Sequence, residues 1–165
     1  MALILGIDPG SRKTGFGIIN YVSGQAEYVT SGIIRLSDGE LAPRLKIIYD
    51  SVTELVELHG PNTLAIEQVF MAKSAGSALK LGQARGIAML APARAGLSVG
   101  EYAPNAVKKA VVGVGHADKK QVDHMVRMQL PGAEIAGPDA ADALAIAICH
   151  AHMSGTRARV LGAMP

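Results

Sequence analysis

Beginning at Asp139 the chain reads Asp-Ala-Ala-Asp-Ala-Leu-Ala-Ile-Ala-Ile-Cys-His-Ala-His-Met, with no Asp, Glu, Lys or Arg after Asp142. This stretch predicts a helix from Asp139 to about Met153, opened by Pro138. A helix that is apolar on all sides has to be covered on all sides, so the remaining chain must supply a sheet for it to lie against. The 165 residues suffice for one such domain and leave no room for a second full one. Residues 1–155 are read as that domain, and 156–165, with Arg157 and Arg159, as a short flexible basic tail.

Three β-like runs open the chain, Leu3 to Asp8, Thr14 to Val22 and Ala26 to Leu36, and the Gly- and Ser-containing turns between them suggest an antiparallel meander. Apolar residues at Leu41, Leu45, Ile48, Val52, Leu55 and Leu58 then recur at helical spacing, with Asp50, Glu54 and Glu57 on another side. They predict an amphipathic helix from Leu41 to His59, ended by Gly60-Pro61-Asn62. Thr63 to Glu67 reads as a strand buried on both faces, Ser74 to Ala95 as a helix weakened by Gly82 and Gly86, and Leu97 to Tyr102 as another strand. Pro104 to Val112 and Asp118 to Leu130 are further helices, the second capped by Asp118 and stopped by Pro131. The expected class is α/β, a mixed five-stranded sheet with helices on both faces.

No stretch approaches the ~18 apolar residues of a membrane span, and no export signal is visible before the first strand. The single cysteine, Cys149, cannot form an internal disulfide and reads as a small core residue. These features point to a cytoplasmic protein with no membrane partner. The net charge of +2 is unevenly divided: residues 1–72 carry five Lys/Arg against eight Asp/Glu, residues 73–127 nine against three, and the remainder two against three. A basic middle third suits a polyanion-binding face but names no partner.

The most informative residues are acids in apolar company. Asp8 closes Leu3-Ile4-Leu5-Gly6-Ile7 and precedes Pro9-Gly10, where an Asx turn is the structural alternative. Glu67 closes Leu64-Ala65-Ile66, and a lone buried Glu costs several kcal/mol unless paired, protonated or metal-bound. Asp139 and Asp142, spaced i and i+3, share one side of the apolar helix, where acids near an N-terminus also favour the helix dipole. Four carboxylates meeting from distant sequence would be a hard-oxygen set for Mg²⁺. Two ions about 3.5 to 4 Å apart can clamp a scissile phosphate, one activating water and the other the leaving oxygen.

These residues stand in four blocks: Gly6-Ile7-Asp8-Pro9-Gly10-Ser11-Arg12-Lys13-Thr14-Gly15, Ala65-Ile66-Glu67-Gln68-Val69-Phe70-Met71-Ala72-Lys73, Ser77-Ala78-Leu79-Lys80-Leu81-Gly82-Gln83-Ala84-Arg85-Gly86, and Asp139-Ala140-Ala141-Asp142-Ala143-Leu144-Ala145-Ile146-Ala147. In this order, over nearly the whole chain, they closely resemble the bacterial RuvC Holliday junction resolvases. The resemblance implies an RNase H-like nuclease domain acting as a homodimer that nicks two opposed strands of four-way junction DNA in recombination and repair, leaving 5′-phosphate and 3′-hydroxyl ends. It implies two Mg²⁺ per subunit, with Mn²⁺ as a substitute, held by Asp8, Glu67, Asp139 and Asp142 as the catalytic acids. Some relatives have His at the position of Asp139. Cooperation with the RuvA and RuvB branch-migration complex is also implied.

Phe70, one of only two phenylalanines, could stack on an unpaired base or pack in the core. Lys108 and Lys119 are expected to approach the DNA, and Arg12, Lys73, Lys80 and Arg85 are further phosphate-contact candidates. His116 and His124 read as surface or capping residues, and no cofactor-binding nucleotide loop is visible, Gly113-Val114-Gly115 being too short. The Ser74 to Ala95 helix is a candidate dimer interface or an ordinary packed helix. Three other readings stay open. A YqgF-type RNase H-like ribonuclease shares the Gly-Ile-Asp-x-Gly opening, although such proteins lack the later blocks. A sugar kinase or actin-like ATPase needs two lobes. A non-catalytic junction binder would use the basic face and never nick.

Overall fold

The computed structural model describes residues 1–69 and 74–162, with side chains through residue 155. Strands β1 (Ala2–Asp8), β2 (Lys13–Val22) and β3 (Gln25–Arg35) form the antiparallel meander. Ser23 and Gly24 connect β2 to β3 with positive φ at both residues, the two-residue turn whose twist matches the strands it joins. Helix α1 (Leu41–His59) returns the chain to β4 (Thr63–Glu67), which lies parallel to β1. Helix α2 (Ala75–Arg94) leads to β5 (Ser98–Tyr102), parallel to β4, and α3 (Pro104–Val112), α4 (Lys119–Gln129) and α5 (Pro138–Gly162) follow. The sheet order is β3-β2-β1-β4-β5, so the expected mixed five-stranded sheet is the one observed.

Side chains alternate between faces along each strand. Leu5, Ile7, Ile18, Leu64 and Ile66 join one core with Ile48 and Val52 of α1 and Ala84, Ala88 and Ala91 of α2. Ile4, Ile19 and Ala65 join the other, under α5 and the flanking α3 and α4. From Ala143 to Cys149 every residue of α5 is buried, which is the cover that its apolar sequence requires.

Helix α1 is amphipathic as expected, with Ile48 and Val52 buried and, toward its ends, Leu41 41% and Leu58 72% exposed. One expectation is corrected. The last helix does not stop near Met153 but continues in its backbone to Gly162. Ser154 donates its hydroxyl back to the carbonyls of His150 and Ala151, so it is satisfied inside the helix, and no proline follows until Pro165. Much of the segment read as a tail is thus helical backbone.

Candidate active site

Strand pleating decides where the acids point. Along β1, Ile4 and Gly6 face α5, and Asp8 continues that series. Along β4, Ala65 faces α5 and Glu67 follows it two residues on. Because Ile7 pairs with Ile66, Asp8 and Glu67 leave the sheet side by side at its C-terminal edge.

Close helix approach supplies the remaining acids. A Cβ on Gly6 would lie 2.1 Å from the Ala143 carbonyl oxygen, and one on Gly15 would lie 2.0 Å from that of Asp139. Only glycine lets the α5 backbone rest on the sheet at these points. Gly15 is also the β2 partner of Asp8, so the first turn of α5 is seated directly over the end of β1 that carries Asp8.

Asp8, Glu67 and Asp142 line one cleft of about 260 Å³ with Lys108 of α3 and Lys119 of α4. Its apolar walls include Val107, Val122 and Ala145. Lys119 is aimed by the start of α4, where Asp118 and Gln121 complete a reciprocal capping box. Burial, then the charges of Asp142 and Glu67, push the Asp8 carboxyl from its ordinary 3.8 up to about 7, against an opposing pull from Lys119. Burial and Asp142 likewise raise Glu67, against Lys119 and Lys108. Asp139 is half-buried outside the cleft lining, yet its charge also resists ionisation of Asp8. Lys119 donates from Nζ to Asp142 Oδ2 at 2.9 Å, and this bond raises its own pKa.

The donor set fits a divalent cation in its chemistry: carboxylate oxygens facing one another with too little positive charge between them. They are gathered but not closed up. Among the described residues no three His, Cys, Asp or Glu side chains are near enough to enclose an ion, and Lys119 holds Asp142. A larger groove of about 720 Å³ lies between the β2–β3 turn and the end of α4, and none of these acids lines it. Chemistry, not volume, selects the smaller cleft.

The expected DNA contacts fare unevenly. Arg12 and Lys80 are exposed, and Lys80 shares a crevice with Ser11 and Arg44 on the far side of the turn after β1. Phe70 and Lys73 lie outside the described residues. Arg85 is engaged within the fold. Its Nε donates to the Glu67 carbonyl oxygen at 2.8 Å and its terminal nitrogen pairs with Glu101, leaving the side chain 17% exposed. These bonds occupy the guanidinium with partners on β4 and β5. Glu101 was missed because only the pairing of β5 with β4 reveals it. His116 and His124 are exposed. Cys149 is buried with its thiol pushed up to about 12 by burial, an inert core residue.

A mixed sheet in this order, with carboxylates leaving two adjacent parallel strands beneath a third from a helix laid across them, is an RNase H-like fold with the acidic cleft of a nuclease. Residues 4–150 match the family described as crossover junction endodeoxyribonuclease RuvC. The crossover junction endodeoxyribonuclease RuvC of Paracoccus denitrificans is 58% identical over 149 residues, covering 90% of this chain and 91% of that one. The protein of the same description from Saccharophagus degradans is 56% identical over 163 residues, with 98% and 94% covered. Thermus thermophilus RuvC, solved in complex with a Holliday junction substrate, superposes with a TM-score of 0.89 at 32% identity, over 95% of this chain and 97% of that chain. The yeast mitochondrial Holliday junction resolvase, at 12% identity and a TM-score of 0.69, shares the fold. The chain belongs to the RuvC family of crossover junction endodeoxyribonucleases.

Proposed function

We propose that this chain resolves Holliday junctions by paired symmetric nicks, hydrolysing one phosphodiester per subunit of a homodimer. The observation that carries the reading is the gathering of Asp8, Glu67 and Asp142 in one cleft with Lys108 and Lys119, where burial first and the neighbouring acids second raise the Asp8 carboxyl. No described helix is long and apolar enough to cross a membrane, and the expected compartment is the cytoplasm, in cooperation with RuvA and RuvB.

Asp8, Glu67, Asp142 and, from its edge, Asp139 would hold Mg²⁺ or Mn²⁺, two ions per subunit. When bound, such a cation lowers the pKa of water, neutralises phosphate charge and stabilises a leaving oxygen. The protein's own groups do the rest. Lys108 and Lys119 supply positive charge beside the acids, attracting the phosphate and offsetting its developing charge. Lys119, which donates to Asp142 in this structure, would place its charge beside both that carboxylate and the phosphate. Arg12, Lys73 and Lys80 would hold the DNA backbone, Phe70 would stack on a base opened at the junction centre, and 1–155 would form the nuclease domain.

The test is cleavage of a synthetic four-way junction and a matched linear duplex by wild type and Asp8→Asn, each with Mg²⁺ or EDTA. Symmetric nicks confined to the junction, and lost with EDTA or Asp8→Asn while junction binding persists, are expected. Binding without cleavage under every metal condition leaves an architectural junction binder and ends the enzymatic reading.

A further inference from the structure

Arg85 sits where three elements meet. Its backbone belongs to α2, its Nε donates at 2.8 Å to the carbonyl of Glu67 at the end of β4, and its terminal nitrogen pairs with Glu101 on β5. Across the β4–β5 ladder Ile66 pairs with Glu101 and Glu67 with Tyr102, and the Gln68 amide donates to the Tyr102 carbonyl at 2.8 Å. After Gln68 the chain leaves the ladder, so the Glu67 peptide is the last point of β4 that α2 can grip. A planar guanidinium holds a carbonyl and a carboxylate in fixed directions at once, whereas a lysine ammonium is a point charge without that fork.

We propose that Arg85, steadied by Glu101, is a positioning residue for the cleavage reaction. By fixing the Glu67 peptide plane it fixes the direction of the Glu67 Cα–Cβ bond, and with it where the carboxylate stands relative to Asp8 and Asp142. Arg85 works through Glu67 from the α2 side of the sheet. This inference rests on Glu67 being a catalytic carboxylate of junction cleavage.

Arg85→Gln, Arg85→Lys and Glu101→Gln, made in the full chain, separate the possibilities. Three quantities are measured for each: single-turnover junction cleavage at saturating protein, junction Kd in EDTA, and the Mg²⁺ concentration giving half-maximal rate. Arg85→Gln is expected to slow cleavage about 100-fold, the scale of a roughly 1 Å misplacement, with Kd within about twofold of wild type. Its half-maximal Mg²⁺ rises several-fold. Arg85→Lys recovers little of the rate, and Glu101→Gln, which keeps an acceptor, loses about tenfold or less. A Kd weakened about tenfold with an unchanged saturating rate would make Arg85 a phosphate contact and overturn the proposal. So would unchanged rate and Kd with only a lowered Tm. Where Arg85→Gln does not fold, Arg85→Lys and Glu101→Gln carry the same comparison. Glu67→Gln, run alongside, separates the two ideas: full cleavage by Glu67→Gln sinks the reading of the acids, whereas a dead Glu67→Gln beside a fully active Arg85→Gln sinks only the positioning role.

Discussion

The two faces of the sheet are built to different tolerances. On the α1 and α2 side, Leu5, Ile7, Ile18, Leu64 and Ile66 meet Ile48, Val52 and the buried alanines of α2, so large side chains set the distance between helix and sheet. On the α5 side, Gly6 and Gly15 meet carbonyl oxygens of the helix itself, with no side chain between them to yield. Both faces carry buried core that contributes stability. At Gly6 and Gly15 the second gives up side-chain volume for closeness, and it is the face whose strands end in Asp8 and Glu67. A functional group carried by a helix is located as well as its helix is, and backbone lying on backbone is the least adjustable contact available.

Among substitutions that separate the two faces, Gly15→Ala should therefore show the larger effect on function. The new Cβ would stand 2.0 Å from the Asp139 carbonyl oxygen, so the first turn of α5 must lift. Cleavage should fall about 100-fold, for a stability loss of only about 1–3 kcal/mol. Wild-type cleavage by the folded variant would break the link between close approach and chemistry. Ile48→Ala is the reverse case. Ile48 is fully buried on the other face, and its truncation should cost about 2–5 kcal/mol by denaturant unfolding. Junction cleavage by the fraction still folded should stay within about threefold of wild type, an effect on activity too small to indicate a moved active site.

Stability against pH gives a smaller effect with a definite sign. The folded-state Asp8 carboxyl is raised to about 7, so between roughly 4 and 7 the folded protein keeps a proton that the unfolded chain releases. Metal-free stability should thus fall as pH rises through that window, by on the order of 2 kcal/mol after allowance for screening, and Glu67 acts in the same direction. Asp8→Asn should flatten the slope and be the more stable protein at pH 8. A rising slope, or one unchanged in Asp8→Asn, contradicts the crowding of the acids. Least of all, Leu58→Gln at the exposed end of α1 should change stability by no more than about 0.5 kcal/mol.

What could be read from sequence was what neighbouring residues announce. An acid closing an apolar strand is visible within six letters, which is why Asp8 and Glu67 stood out, and the charge-free body of α5 required a sheet before one was seen. The order of strands is not written locally, and it decides the partners of Arg85: the Glu67 carbonyl and Glu101 come from separate strands, so a basic residue on a basic helix read as a DNA contact. Arg85 and Lys80 look alike in the sequence; the fold half-buries one against β4 and leaves the other exposed. The C-terminal end of α5 was equally hidden, because the bond from the Ser154 hydroxyl back to its own helix is visible only in the structure.

Carbon NMR titration of the Asp8 carboxyl, without metal and then with Mg²⁺, most directly tests whether α5 compresses the acids into a site that awaits a cation. The expected midpoint is about 7 without metal, falling by more than roughly one pH unit with Mg²⁺ as the cation favours the ionised form. A metal-free midpoint near the ordinary 3.8, unmoved by Mg²⁺, would mean that Asp8 is neither desolvated beside other acids nor sharing an ion with them.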